Sequence, residues 1–438
     1  MKLQKNHILI LILLFAFFAS LSLYRHKNIG PNSFRTEIWA DRAGYYVYLP
    51  STFIYNFSTE NFPENIEPKT GEGFFLNKER KRIETKYTYG VALMQLPFFL
   101  VADAITVLSH DYPRDGFSYY YQKSINFAAA FYLALGLYLL FLALKVYFGY
   151  KNKLLIATIA TFFFGTNLYY YGIIETGMSH IYSFFLFSSL LFLVTHKAKF
   201  KNKLRYFSFL GLISGLIVLI RPTNIIILTI PFIWGVGNFK QLSQRFKEFF
   251  KPSIIPFWLV PGLLVLVPQF VYWKYSTGHF LSYTYKDEGF SNALSPNVFE
   301  VLFAPNNGLF PYSLTFILAL VGIVLIWKSN KTLALYSSFV FLLITYMTAS
   351  WHDWRFGCGA GMRNMVEYYA LFSFPMAFSV HKLFSMKKGI IKFLIFATLG
   401  FFVMISFKVN YHYFGCYFSG IWDWSDYVKY LFYPVQIN

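Results

Sequence analysis

The sequence predicts an all-α polytopic membrane protein with about 11 transmembrane helices and a large first extracytoplasmic loop carrying interfacial helices. Three observations predict it. Of 438 residues, 56% are apolar or aromatic and only 13% charged, with a mean hydropathy of +0.44, which no ordinary soluble domain combines. Uncharged stretches of about 17 to 25 residues, the length that crosses a bilayer, recur from end to end. The excess of basic residues, a net charge of +19, gathers in short loops between those stretches, as cytoplasmic loops do. Two cysteines, neither in a C-x-x-C pair, exclude a disulfide framework and a thiolate metal site. Nucleic acid is not an expected partner, because the positive charge is accounted for by membrane sidedness.

Eleven apolar segments follow in order: 8–24, 119–146, 154–174, 179–195, 206–221, 223–237, 253–273, 308–327, 332–349, 365–382 and 389–407. With the N-terminus inside, the stretches that fall on the cytoplasmic side carry 20 basic residues and one acid, Glu248. The other side then carries 19 of each sign, so the whole excess lies on one face. This gives an N-in, C-out topology.

The same charge balance decides two difficult segments. Tyr87 to Leu108 is apolar enough to span, but a crossing there would move every later basic loop outside. It is therefore expected to lie in or dip into the outer interface, and Gly90, Pro97 and Asp103 are expected to interrupt it. Basic clusters flank 206–221 and 223–237 on both sides, so these form a hairpin of two short helices with Arg221-Pro222-Thr223-Asn224 as its outer turn. The first segment follows Lys2 and Lys5 as a signal peptide would, but with ten further segments behind it a retained helix is expected. Residues 1–407 read as one transmembrane domain, with 25–121 as its first outer loop. Residues 408–438 read as a short outer tail whose Tyr411, Tyr413, Tyr417, Trp422 and Trp424 suit a membrane interface.

Chemistry needs convergent polar groups, and 11 of the 20 acids lie in the segment Arg25 to Tyr121. Within it Asp41-Arg42-Ala43-Gly44-Tyr45-Tyr46-Val47-Tyr48-Leu49-Pro50 sets a carboxylate just before an aromatic run suited to the headgroup region. Asp41 could take a proton from a hydroxyl or bind a cation; a plain ion pair with Arg42 is the competing explanation. Glu37, four residues earlier, would share a face with Asp41 if the segment were helical, or stand as an interfacial polar residue.

The Asp41–Pro50 run, followed by Lys86-Tyr87-Thr88-Tyr89-Gly90 and Leu96-Pro97-Phe98-Phe99, resembles bacterial membrane glycosyltransferases of the C-type (GT-C) superfamily. These include mannosyltransferase-like, aminoarabinose-transferase-like and lipopolysaccharide galacturonosyltransferase-like proteins. The resemblance covers most of the chain. It implies a catalytic domain in a bacterial inner membrane with its site facing outward, a sugar donor carried on polyprenyl phosphate, and a lipid, glycan or protein acceptor among membrane lipids. It further implies that the first-loop acid, here Asp41, is the general base or stands beside a metal. The sequence departs from the family pattern because Arg42, not a second acid, follows Asp41 and no D-x-D is present. A divalent cation is therefore an open expectation.

The remaining candidates cluster at outer ends of segments. Glu175, in the turn Glu175-Thr176-Gly177-Met178-Ser179-His180, resembles the second acid of the family, and a solvated turn residue is the alternative. His180 has no metal-spaced partner and reads first as an interfacial histidine. Arg221 tops two short helices, where a guanidinium needs an anion or water, so it is a candidate for the donor phosphate. So is Arg363, in the glycine-rich loop Ser350–Asn364, where backbone N–H groups and a guanidinium fork could meet a phosphate. Lys86 is the third phosphate candidate, with a headgroup-binding patch over Lys78 to Lys86 as its alternative. Tyr45 is an additional candidate in the Asp41 run. Cys358 and Cys416 share the outer side and could pair.

Three classes of function fit the composition: an inverting sugar transferase, a transporter or flippase of lipid-linked sugars, and a non-catalytic membrane assembly protein. The outer concentration of acids and the absence of a visible inverted repeat favour the first over a transporter, which would place substrate groups near the midplane. A scaffold gives no reason for Asp41, Glu175 and Arg221. Reporters fused near Lys201, Lys247 and Lys387 are expected to report cytoplasm, and those near Lys78, Glu288 and Trp354 the outside; an outside signal at Lys247 would break the short-hairpin assignment.

Overall fold

The computed structural model describes residues 5–28, 30, 37–285, 288–413 and 423–432. It is an all-α architecture apart from one small hairpin. Among the described residues, seven helices are long and apolar enough to cross a membrane: Asn6–Arg25, Gly90–Ser109, Tyr119–Phe148, Lys203–Ile220, Ile255–Thr277, Lys331–Ser350 and Ile390–His412. Shorter apolar helices, Asn152–Gly165, Ser179–Thr195, Pro222–Ile233 and Leu314–Ile326, fill the places where the sequence predicts further full spans. About seven long apolar helices are thus present among the described residues, one of them, Gly90–Ser109, outside the eleven expected segments, and several of the eleven are shorter or broken.

The breaks have local causes. Segment 154–174 is helical over Asn152–Gly165 and re-forms as a π-helical turn only at Tyr170–Ile174. Between them Thr166 is extended, and Asn167 bonds Ala360 O at 2.8 Å. Segment 308–327 is likewise divided, into Leu309–Tyr312, a 3-10 turn Leu314–Phe316 and the helix Ile317–Ile326. In the expected hairpin, the Lys203–Ile220 helix stops because Arg221 precedes a proline and is pushed to extended backbone, φ −149° and ψ 112°. Its partner is a 3-10 stretch, Pro222–Thr229, with a single α-turn Ile230–Ile233, not a regular second helix.

Gly90–Ser109 is a continuous helix with Pro97 inside it, so the expected interruptions do not break it. Gly90 serves contact instead: a Cβ there would come within 2.8 Å of Ile220 N. Asp103 is held by Arg114 at 2.9 and 2.8 Å and by the Tyr121 hydroxyl at 2.6 Å. The helix runs along the N-terminal half of Tyr119–Phe148, through Phe99 on Tyr121, Phe98 on Phe131 and Met94 O bonded to Tyr132. Its first residue thus meets Ile220, and its middle meets Tyr121 through Phe99 and Asp103; charge assigns both partners to the outer side.

The segment between the first two long apolar stretches has a core of its own, in which Ile38, Ala43, Tyr46, Val47, Phe74 and Ile83 pack with Phe99, Phe117 and Tyr121. It includes an antiparallel hairpin, Phe75–Asn77 with Arg82–Glu84, which the all-α expectation did not contain. The main core is aromatic and spans the bundle. The last long helix continues to His412, five residues past the expected boundary at 407, because Asn410 is buried and bonds Tyr312 O at 2.8 Å. Beyond it, the helix Trp424–Phe432 docks through Tyr427, whose hydroxyl bonds Pro311 O at 2.5 Å. Tyr417 and Trp422 lie outside the described residues, as does Cys416 and with it the expected pairing with Cys358.

Backbones come together where side chains are absent. Gly211 and Gly215, one turn apart, face Trp258 and Gly262, and a Cβ at either would lie 1.9 or 2.4 Å from a carbonyl oxygen of the facing helix. Gly322 packs in the same way on Pro375 O, 1.9 Å from a Cβ. Gly322→Val is expected to cost about 1 to 3 kcal/mol by forcing these helices apart, read as a lowered unfolding temperature in detergent. Gly400→Val, with nothing within 4 Å, is expected to leave it unchanged.

Candidate functional site

The short helix Asp41–Tyr46 starts the site. It begins at Ala40, whose φ of 50° is in the region that disfavours a side chain. The kink is held by Ala40 N bonding Thr70 O at 2.9 Å and by the missing side chain of Gly73, where a Cβ would meet Ala40 O at 2.0 Å. From there the 3.6-residue period separates the side chains. Ala43 and Tyr46 go into the loop core, with Tyr46 bonded to Gly116 O at 2.6 Å. Asp41 and Tyr45, four apart, face a cavity of about 480 Å³.

Asp41, Tyr45, Lys86, His180, Arg221 and Arg363 all line this cavity. Arg363 Nη2 stands 3.3 Å from Asp41 Oδ2 across 322 positions of sequence. Burial pushes the Asp41 carboxyl up, but Arg363, the Tyr87 hydroxyl bonded to it and Lys86 outweigh burial and hold it below the usual carboxylate range. The ring of Phe356 lies 5.2 Å from the Arg363 guanidinium carbon. Lys86 Nζ bonds Glu288 Oε1 at 2.7 Å and sits 5.5 Å from the rings of both Tyr87 and Tyr285. Lys86, its side chain one-third exposed at 33%, is thereby held at the cavity wall.

Arg221, thrown out of its helix by Pro222, is bracketed most tightly. Its Nη1 is 3.1 Å from Glu367 Oε1 and its Nη2 2.7 Å from Asn364 Oδ1. His180 Nδ1 lies 2.9 Å from the other oxygen of Glu367 and 3.1 Å from Arg221 Nη1. With its proton on Nδ1 the imidazole donates to Glu367, and the guanidinium contact is then packing alone. His180 is 1% exposed, so it is a buried member of this network.

Two expected residues stand elsewhere. Glu37 precedes the kink at Ala40, so it shares no helical face with Asp41; its carboxylate is buried 3.5 Å from His26 Nδ1. Glu175 is buried behind the cavity wall, 3.8 Å from Arg42 Nη1. Arg42 thus pairs with Glu175, and the simple Asp41–Arg42 ion pair does not form. Burial raises the Glu175 carboxyl above its ordinary value, with Arg42 and Arg363 opposing. The sequence did not single out Glu367, Glu288, Asn364 or Tyr87. Glu367 carried a signal: an acid inside an apolar segment, 365–382, marks a functional position.

A divalent cation finds no donor set here. Among the described residues no three His, Cys, Asp or Glu side chains converge, and Asp41 faces a guanidinium. Each cation lining the cavity is instead matched by a carboxylate: Arg363 by Asp41, Arg221 by Glu367, Lys86 by Glu288. The guanidinium of Arg363, with one carboxylate contact of 3.3 Å, is the least committed of the three.

No protein-family model matches the chain, and no curated protein sequence matches it significantly. The chemistry is therefore read from the geometry. Because Asp41 titrates below its ordinary value of 3.8, its contribution to stability is complete above about pH 4 and is lost as pH falls through the lowered value. Asp41→Asn is expected to unfold at a lower temperature than the wild type at pH 7, with the gap narrowing below about pH 4; a gap independent of pH would remove the ion pair from the account.

Proposed function

We propose that the chain is a membrane glycosyltransferase that moves a sugar from a polyprenyl-phosphate donor to an acceptor hydroxyl on the extracytoplasmic face, with inversion. The observation that carries this is the lining of one cavity by Asp41, Lys86, Arg221 and Arg363, which come from separate parts of the chain. The cavity sits at the Arg221 end of the Lys203–Ile220 helix, about 27 Å of helix away from the basic cluster at Lys197–Lys203. That is the end which the charge count assigns to the outside.

The reaction needs a base and an anion holder. Asp41 takes the proton of the acceptor hydroxyl as its oxygen bonds the anomeric carbon. The bond from that carbon to the phosphate oxygen breaks, and its electron pair leaves with the polyprenyl phosphate. Arg363 supplies the planar donor fork for that phosphate, and Lys86 adds a point charge. A low-lying carboxylate is a weak base, and the pair resolves this: when the donor phosphate draws Arg363, Asp41 loses the charge that held it down and becomes more basic. Arg221, fixed by Glu367 and Asn364, shapes the wall beside them.

In a purified assay with a polyprenyl-phosphate sugar, Asp41→Asn is expected to bind donor and lose about 10² to 10⁴ in transfer rate. Arg363→Lys keeps charge but loses the fork, so donor affinity is expected to fall in a folded protein, and the matching Arg221→Lys change is expected to weaken it less. Near-normal transfer by Asp41→Asn would sink the assignment of the base. Movement of the lipid-linked sugar across the membrane without transfer would favour a flippase instead.

A further inference from the structure

The helix Phe239–Phe249 lies outside everything above. It is capped by Asn238, whose side chain accepts from Gln241 N at 2.9 Å, while Gln241 Oε1 accepts from Gly237 N at 2.7 Å. One edge is fastened to the bundle. Phe249 is buried against Phe207 and Phe232, Arg245 Nη1 bonds Pro231 O at 2.9 Å, and Trp258 Nε1 bonds Phe249 O at 3.0 Å. Its single acid, Glu248, is neutralised by Lys197 at 2.5 Å and Lys203 at 3.1 Å. The helix therefore lies across the basic end of the bundle, level with the start of the Lys203–Ile220 helix.

Its other edge is only partly covered. Phe239 is 82% exposed, while Phe250, beside Trp258, is 54% exposed and Phe246, stacked on Phe232, 43%, and the helical period puts all three on one stripe. Lys240 and Lys247, seven apart, flank that stripe, and Lys251 follows it; all three are exposed and make no ion pair among the described residues. Eleven residues are too few to cross a bilayer, and three phenylalanines in line are costly in water. The arrangement that satisfies both halves is a helix lying in the membrane interface, rings in the acyl boundary and lysine stems rising to the headgroups.

We propose that this helix is a docking site for anionic glycerophospholipid headgroups in the leaflet at the basic end of the bundle. The charge is one-signed: Lys199 and Lys201 are exposed in the neighbouring connection, and no free acid stands on the helix to oppose them. Lysines next to a membrane surface each contribute attraction to anionic lipid that salt screens.

The test uses the full chain in neutral detergent, with binding of dioleoyl phosphatidylglycerol and dioleoyl phosphatidylcholine measured by native mass spectrometry. Lys240→Gln/Lys247→Gln/Lys251→Gln is expected to lose about fivefold in phosphatidylglycerol affinity per lysine, with phosphatidylcholine binding and unfolding temperature unchanged. Phe239→Ser, which alters no charge, is expected to weaken both lipids. The control Lys328→Gln/Lys387→Gln/Lys388→Gln removes as much charge elsewhere at the same end and is expected to keep phosphatidylglycerol binding. Unchanged phosphatidylglycerol affinity in the first variant, an equal loss in the control, or indifference of both lipids to Phe239→Ser would overturn the proposal.

Discussion

The ion pair between Asp41 and Arg363 is the contact on which the cavity depends, because it closes the segment after the first helix onto the glycine-rich loop 350–364. Much of the local structure around it places one partner or the other. Ala40 takes a disfavoured backbone conformation so that the next residue starts a helix facing inward. The rings of Tyr45 and Tyr87 pack at 4.2 Å, tilted by 38°, and hold the Asp41 helix against the segment that carries Lys86. On the other side, the Arg363 guanidinium rests by Phe356, and its successor Asn364 reaches Arg221 and Thr348. A contact spanning 322 positions depends on the tertiary arrangement of the chain, so the site is not a local motif.

The cavity also obeys a constraint of charge. Arginines and lysines at the edge of hydrocarbon are costly unless met by anions, and here a carboxylate meets each of the three. The pairs differ in what they leave over. Arg221 and Glu367 are locked with His180 and Asn364 in a network with little spare donor capacity, the kind whose worth lies in being fully connected. Arg363 is met on one edge only. An incoming anion therefore finds one available fork against a wall that is already rigid.

How much of this was legible depended on whether the cause was local. Charge asymmetry and apolar length located the helices, and the Arg221-Pro222 break was readable because the restriction on a residue before proline acts within two residues. Arg221, Arg363, Lys86, Asp41, Tyr45 and His180 were nameable as candidates, and all six line the cavity. What failed was relational. Nothing near Ala40 announces a positive φ, so Glu37 and Asp41 seemed to share a face when the kink sends them apart. Arg42 looked like the partner of its neighbour, yet adjacent residues on a helix point about 100° apart, which takes Arg42 to Glu175. Glu367 was hidden because the apolar run around it was read as a span before its one acid was weighed. The broken segments 154–174 and 308–327 kept their hydropathy while losing helix geometry to Asn167, Ser313 and their buried hydrogen bonds, which hydropathy does not register.

The two acids that the sequence offered for catalysis end in opposite environments. Asp41 is held low by cations and a phenol, while burial raises Glu175 and Arg42 only partly compensates. A pair of carboxyls pushed apart in this way is a known mark of divided acid and base roles, but geometry decides against that division here. Glu175 does not line the cavity, and neither does its partner Arg42. Its influence runs through the field: the negative charge of Asp41 helps to raise it, and the positive charge of Arg363 helps to lower it. If a phosphate drew Arg363 away from Asp41, both carboxyls would lose part of the same stabilising charge. Asp41, open to the cavity, would gain basicity where a hydroxyl can meet it, whereas Glu175 would bind a proton more tightly where none is exchanged with substrate. On these grounds Glu175 belongs with Arg42 outside the cavity, and Asp41 is the one of the two acids that faces it.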